Sequence, residues 1–374
     1  MRLSIVVGAF ALALVLAGTA GTAVAYPQYQ MSKEQTCAAC HVSPAGGGLL
    51  NGYGELTAED ESMWGGNPAF LHGVLELPDL LRVGGDLRAA AGAHSRGDGV
   101  GSAIFPMQSE LYAFVEKSKL GLYAIGGATV EGAAGNARSF VPFSREHWLM
   151  WRQGEGDGLY VRAGRMMPVQ GLRQPEHVFY TRRFGGTPLF SEVYGANVGW
   201  LSPDLEAHAT VFVADPLVDS IERGDGAAFY VEKRFAEGTT AVGLLDRFTT
   251  SDTDTRLHTG VTAKRKLSEK LLLSAEVQLI RQNFKLAAPT RFQLAGNLFA
   301  TYFVRPGLFV NVGLGHYDED LSIAKLDRDA LDVNIHFFAI SHLELVLMNR
   351  IQMIAFGAGG DSSGYSLLQL HYRI

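Results

Sequence analysis

The 374-residue sequence predicts an all-β chain: a transmembrane antiparallel β-barrel of about sixteen strands, behind a short N-terminal segment that plugs it. Three observations predict it. Period-2 alternation of apolar and polar residues recurs in stretches of about ten, separated by turn residues. Beyond the N-terminal leader, no apolar run reaches the ~20 residues of a membrane helix. The chain also stops in mid-strand. Leu368, Leu370, Tyr372 and Ile374 face one way and Gln369, His371 and Arg373 the other, as when the last strand must pair with the first to leave no edge.

Residues 1–25 read as a secretory signal peptide. Arg2 is a short positive region, Ile5 to Ala17 is an apolar core, and Ala23-Val24-Ala25 is an A-x-A cleavage site before Tyr26. A retained anchor is the alternative, but the run is too short to span a bilayer. Loss of Arg2 moves the formal charge from −6 to −7, which gives no basis for binding nucleic acid. The expected location is the outer membrane of a Gram-negative bacterium.

Residues 26–78 carry the chemistry. Cys37-Ala38-Ala39-Cys40-His41 holds the only two cysteines of the chain, and C-x-x-C-H is the attachment pattern of haem c. Two intervening residues make one turn, which places both sulfurs under the two vinyl groups and aims His41 at the iron. Other readings exist. A thioredoxin-like redox pair should open a long helix, but Pro44 and Gly46-Gly47-Gly48 follow. A zinc site needs two more close ligands. A Cys37–Cys40 disulfide would close a very small loop.

Candidates for a second axial ligand are Met63 and His72, with Met31, His94, His208 and His336 as further options. About 50 residues are too few to build an adequate core around a haem unaided. The segment is therefore expected to bury its cofactor against or inside the barrel.

The barrel occupies 79–374. Strands are expected near 80–94, 106–117, 119–131, 144–153, 158–167, 192–201, 204–214, 226–236, 239–249, 256–266, 269–282, 290–303, 306–317, 328–340, 342–354 and 363–374. Leu205, Ala207, Ala209, Val211 and Val213 alternate with Glu206, His208 and Thr210. Leu271, Leu273, Ala275, Val277 and Leu279 alternate with Ser274, Glu276 and Gln278. Tight turns such as Pro203-Asp204 and Pro306-Gly307 take turns with longer polar links such as 168–190 and 318–327. A soluble β-sandwich or β-helix is the alternative, but closure better explains so many strands without a repeat motif. The final strand resembles the C-terminal signal of bacterial outer-membrane proteins, with Ile374 where an aromatic residue is usual.

Two polar groups stand out in the barrel. From Gly164 through Arg165, Arg173 and His177 to Arg182-Arg183, the chain resembles a strand end and long loop of some porin-like barrels. Its four arginines could line a constriction, grip lipopolysaccharide phosphate, neutralise haem propionates, or be solvated. Asp318-Glu319-Asp320, Asp252 with Asp254, and Glu59-Asp60-Glu61 could attract a cation such as Fe²⁺ or be solvated. No triad, phosphate loop or paired-carboxylate site supports hydrolysis or group transfer.

Tyr29, the stretch Cys37 to Pro44, and Leu50-Asn51-Gly52-Tyr53-Gly54 together resemble the N-terminal segment of fused outer-membrane monohaem c-type cytochrome–porins of the iron-oxidising type. The resemblance implies Cys37 and Cys40 as thioether sites, His41 as axial ligand, one covalent haem c, and a barrel of about sixteen strands. The function expected is outer-membrane electron transfer, with iron(II) as an extracellular reductant and a periplasmic carrier as acceptor. Lipopolysaccharide is the surrounding partner. The alternative is a diffusion porin with a structural or sensing haem plug; a third reading sends electrons outward.

Overall fold

The computed structural model describes residues 27–31, 35–97, 99–131, 139–154, 156–188, 190–215, 224–286, 288–355 and 360–374. The signal-peptide reading of 1–25 lies outside them. No described helix is long and apolar enough to cross a membrane. One sheet holds β1 (Leu81–Arg96), β2 (Gly99–Lys117), β3 (Leu120–Glu131), β4 (Ser139–Phe143), β5 (His147–Arg152), β6 (Gly158–Met166), β7 (Val193–Leu201), β8 (Leu205–Val213) and β9 (Asp225–Phe235). It continues through β10 (Thr240–Thr250), β11 (Asp254–Lys266), β12 (Leu271–Phe284), β13 (Arg291–Arg305), β14 (Leu308–Asp318), β15 (Asp327–Ile340), β16 (Leu343–Ile354) and β17 (Ser362–Arg373).

Neighbours in the chain pair antiparallel. β17 returns to β1 over a register from Asp86↔Arg373 to Arg96↔Ser363, which closes the barrel. β4 and β5 both pair with β3, at Gly127↔Phe143 and Leu120↔Trp151. They are two halves of one stave, so the seventeen segments make sixteen staves. The expected strand at 144–153 is thereby corrected: the ladder is interrupted at Ser144-Arg145-Glu146, and β4 precedes the break. Arg165 holds the break open by donating to the carbonyls of Ser144 and Arg145.

The alternation sorts side chains as the period requires. On β10, Val242, Leu244 and Phe248 are exposed while Ala241, Leu245 and Arg247 are buried. On β8, Val211 and Val213 face outward, with Glu206, His208 and Thr210 inward. The outer face is therefore an apolar belt, and the buried polar residues line the lumen. Outward Trp151, Trp200, Phe235 and Tyr302 stand toward one rim, where aromatic rings suit a membrane interface. At the middle of this belt, Leu244→Arg is expected to cost about 2–4 kcal/mol. Denaturant titration of the folded barrel in lipid vesicles would measure it; a change below ~0.5 kcal/mol would mean that Leu244 does not face lipid.

Short turns crowd one rim and longer links the other. At Pro306-Gly307, the positive φ of Gly307 (75°) makes the turn. A side chain there would strike the backbone of Met63, because the N-terminal segment crosses this rim. Met63 N donates to Phe338 O (2.8 Å) and Trp64 N to Ala339 O (3.1 Å).

Two segments fill the lumen. The first contains α1 (Pro27–Gln30), α2 (Cys37–Cys40) and α3 (Gly52–Asp60). Its Val42 and Leu49 pack on Tyr112, Tyr123, Trp148 and Tyr160 of the inner wall. Met31 packs on Ala241 and Leu272. The second is the β6–β7 link, read from sequence as a polar loop. It folds inward with α4 (Tyr180–Arg183) and buries Val169, Leu172, Phe179 and Tyr180. Phe179 packs on Phe299, with ring centres 4.6 Å apart. The two segments meet where Ala45 packs with Val169.

Candidate functional site

The Cys37–His41 stretch is held by its own chain before the barrel touches it. Cys37 to Cys40 forms the single turn α2, and His41 N donates to Cys37 O at 2.9 Å. Asn51 fastens this turn to the next helix. Its side chain donates to Ala38 O (3.2 Å) and Ala39 O (2.9 Å) and accepts from Gly54 N (2.9 Å), so it also caps α3. Its backbone N donates to Cys40 O at 3.0 Å. Gly54 lies so close to this turn that a Cβ would fall onto the Cys40 carbonyl. The Asn51-Gly52-Tyr53-Gly54 element is thus a clasp for the cysteine turn.

Cys37, Cys40 and His41 line one cavity of about 320 Å³, whose lining also includes Met167, Gln174 and Arg182 of the inserted loop. That volume lies in the range of ligand pockets. Cys37 and Cys40 are not joined in a disulfide. Burial pushes the Cys37 thiol up. This is the reverse of the lowered thiol of a redox pair, which depends on an activated thiolate. Burial pulls His41 down to about 4, so the imidazole is neutral with a free lone pair at ordinary pH. Its Nδ1 is buried without a hydrogen-bond partner. Among the described residues, no group of three His, Cys, Asp or Glu could hold a bare metal ion. Two thiols one helical turn apart and not joined to each other, a neutral imidazole beside them and a cavity that all three line fit a covalently attached haem.

The sequence-derived distal candidates do not reach this cavity. His72 is on the rim, its Nε2 2.7 Å from the Tyr372 hydroxyl and its ring 4.0 Å from that of His342. Met63 is bound to the β15 end through its backbone. Met31 is buried in a separate apolar cluster. His208 meets Glu206 at 3.2 Å and His336 meets Glu344 at 2.9 Å, while His94 is exposed. Met167 is the methionine on the cavity wall. Sequence order hid it, because it lies 126 positions beyond His41 and arrives only by folding of the β6–β7 link.

The arginine group divides. Arg165 binds Asp215 at 2.6 Å and the β4–β5 break, so its task is structural. Arg173 lines the cavity beside Glu206, 2.5 Å away, and reaches Pro44 O at 3.4 Å. Arg182 also lines the cavity, and Arg183 lies over the Phe184 ring. Of the acidic runs, Glu319 pairs with Arg291 and Arg328, both at 3.3 Å. Asp254 pairs with Arg256 at 2.8 Å. These carboxylates are matched by cations in place.

No protein-family model and no curated protein matches the sequence. The fold is matched by solved porin barrels. The outer-membrane OmpT of Vibrio cholerae superposes with TM-score 0.61 at 11% identity, over 80% of this chain and 100% of that one. An anion-selective porin from Comamonas acidovorans gives 0.56 at 14% identity, over 79% and 99%. The channel DcaP of Acinetobacter baumannii gives 0.57 at 11%, over 79% and 97%. The class defined is a porin-like, sixteen-stave antiparallel barrel. Its closed sheet and outward apolar belt make it an outer-membrane protein, in contact with that membrane's lipid and lipopolysaccharide. Beyond the barrel, this chain carries an N-terminal segment in its lumen.

Proposed function

We propose that this chain is an outer-membrane electron-transfer protein in which residues 26–78 plug the barrel with a single covalent haem c. The observation that carries the reading is the C-x-x-C-H turn, with no disulfide between its cysteines, lining a cavity in the lumen. Cys37 and Cys40 would supply the thioether sulfurs and His41 the neutral imidazole. The group, when bound, supplies one-electron chemistry at its iron. The chain does the rest. The clasp at Asn51 fixes the direction of the turn. Tyr112, Tyr123 and the inserted loop line the cavity, and burial is one lever on a haem potential. Electrons would enter from an extracellular reductant such as iron(II) and leave to a periplasmic carrier.

A second reading has support from the fold: a diffusion porin whose plug is structural or sensing. Two measurements on purified protein separate them. Stopped-flow mixing with Fe²⁺ is expected to reduce the haem, and planar bilayers are expected to carry little current. A midpoint potential far below the Fe³⁺/Fe²⁺ couple, or large open-channel currents over an unreactive haem, favours the porin.

A further inference from the structure

The inserted loop carries a guanidinium with no counter-ion. Arg182 Nη1 donates to Gln174 O (2.6 Å) and Pro175 O (2.5 Å), and Nε to Thr187 O (3.2 Å). All three acceptors are uncharged carbonyls. No carboxylate of the described residues lies within 4.0 Å of it. Two other cavity arginines are matched: Arg145 by Glu192 at 2.7 Å and Glu110 at 3.3 Å, Arg173 by Glu206 at 2.5 Å. Arg182 faces Arg145, Arg88, Glu176 and Glu192, and His177 lies in its field. Burial, with Arg145 next in effect, pulls it down to about 10. Arg182 is half-buried, and a cation held partly away from water with no carboxylate in contact carries a desolvation cost. The loop goes further: its own carbonyls hold the side chain on the cavity wall.

The cavity has the two cysteines on its lining and Arg182 on the lining contributed by the loop. A haem bound through its vinyl carbons presents two propionates on the edge away from them. We propose that Arg182 is the counter-ion of a haem propionate, so that the β6–β7 loop is fastened to the cofactor by an ion pair. Arginine suits the task, since its planar fork accepts a carboxylate side-on. This inference rests on the haem reading above.

The test is a spectroelectrochemical titration of the full-length holoprotein, wild type and Arg182→Gln, between about pH 5 and 8. In the wild type, ionised propionates should leave the midpoint potential nearly independent of pH. In Arg182→Gln the potential should fall, because a cation that favours the reduced haem is gone. It should also become pH-dependent, because the unpaired propionate now takes up a proton on reduction. A merely structural arginine would not create that pH dependence. Superimposable profiles at full haem occupancy overturn the proposal and leave the haem reading intact. Wild-type protein without covalent haem overturns the haem reading itself. A small diffusing anion shares the carboxylate's chemistry; if Arg182→Gln changes bilayer anion selectivity but not the haem profile, the site serves that anion and the proposal falls. Should Arg182→Gln not accumulate, infrared redox difference spectra of wild type with isotope-labelled propionates decide. Ionised carboxylate bands alone are expected, and a protonated-carboxyl band overturns the assignment.

Discussion

Purified protein carrying Cys37→Ser and Cys40→Ser together is expected to lose all covalent haem while the barrel still forms. The attachment needs a thioether sulfur, and the chain has no other cysteine. The barrel does not need either thiol. Its closure rests on the β1–β17 ladder, and α2 meets the wall mainly through Ala38 and the following Val42 and Leu49. Replacing two small thiols by hydroxyls should therefore cost only about 1 kcal/mol. Intact-mass measurement reads the missing porphyrin, and heat-modifiable gel mobility reads the folded barrel. Single variants should keep haem through one bond at reduced yield. A double variant that still carries haem resistant to acid–acetone extraction would sink the assignment of both sulfurs.

Gly54→Ala is expected to cripple haem attachment while Gly52→Ala is tolerated. Both positions lie in α3, where alanine is favoured over glycine by about 1 kcal/mol on propensity alone. Space decides the sign. At Gly52 the added methyl would meet only the end of the Arg82 side chain, 3.5 Å away. At Gly54 it would overlap the Cys40 carbonyl. That carbonyl is backbone, and it also accepts from Asn51 N at 3.0 Å. It cannot swing aside as a flexible side chain can. The clasp must open, at about 1–3 kcal/mol in the range of overpacked sites, and the cysteine turn loses its aim. Haem per protein, from the pyridine haemochrome, should fall several-fold for Gly54→Ala and stay near wild type for Gly52→Ala. Equal yields would show that the close approach is not maintained.

Some of the candidate site was legible and some was not, for identifiable reasons. The Leu50–Gly54 element could be seen as a companion of the C-x-x-C-H turn, yet its purpose emerges only when Asn51 is found holding Ala38, Ala39 and Gly54 at once. Met63 and His72 looked suitable because they follow His41 closely. The chain after α3 instead crosses the rim, where Met63 binds β15 and His72 sits by Tyr372. Arg165 and Arg182 were indistinguishable as charges in one loop. One became a strut and the other a cavity residue, because only Arg165 sits on a strand beside the β4–β5 break. That break itself was hidden. β4 is five residues long and contains Pro142, too little alternation to read.

What the amino-acid order alone determined is the wall and the spacing of the residues proposed to hold a haem. Each strand must present apolar residues to lipid and polar ones to the lumen, and that demand repeats every two residues, so it is written locally. The C-x-x-C-H spacing is equally local, since one turn spans it. What only tertiary structure decided is the filling of the lumen: which wall the plug rests on, which arginine is left without a carboxylate in contact, and which methionine joins the cavity. Those outcomes depend on contacts such as Ser43 with Arg162 and Pro44 with Arg173, 119 and 129 positions apart. Contacts of that range are selected by shape and charge inside a closed barrel, and no short-range periodicity encodes them.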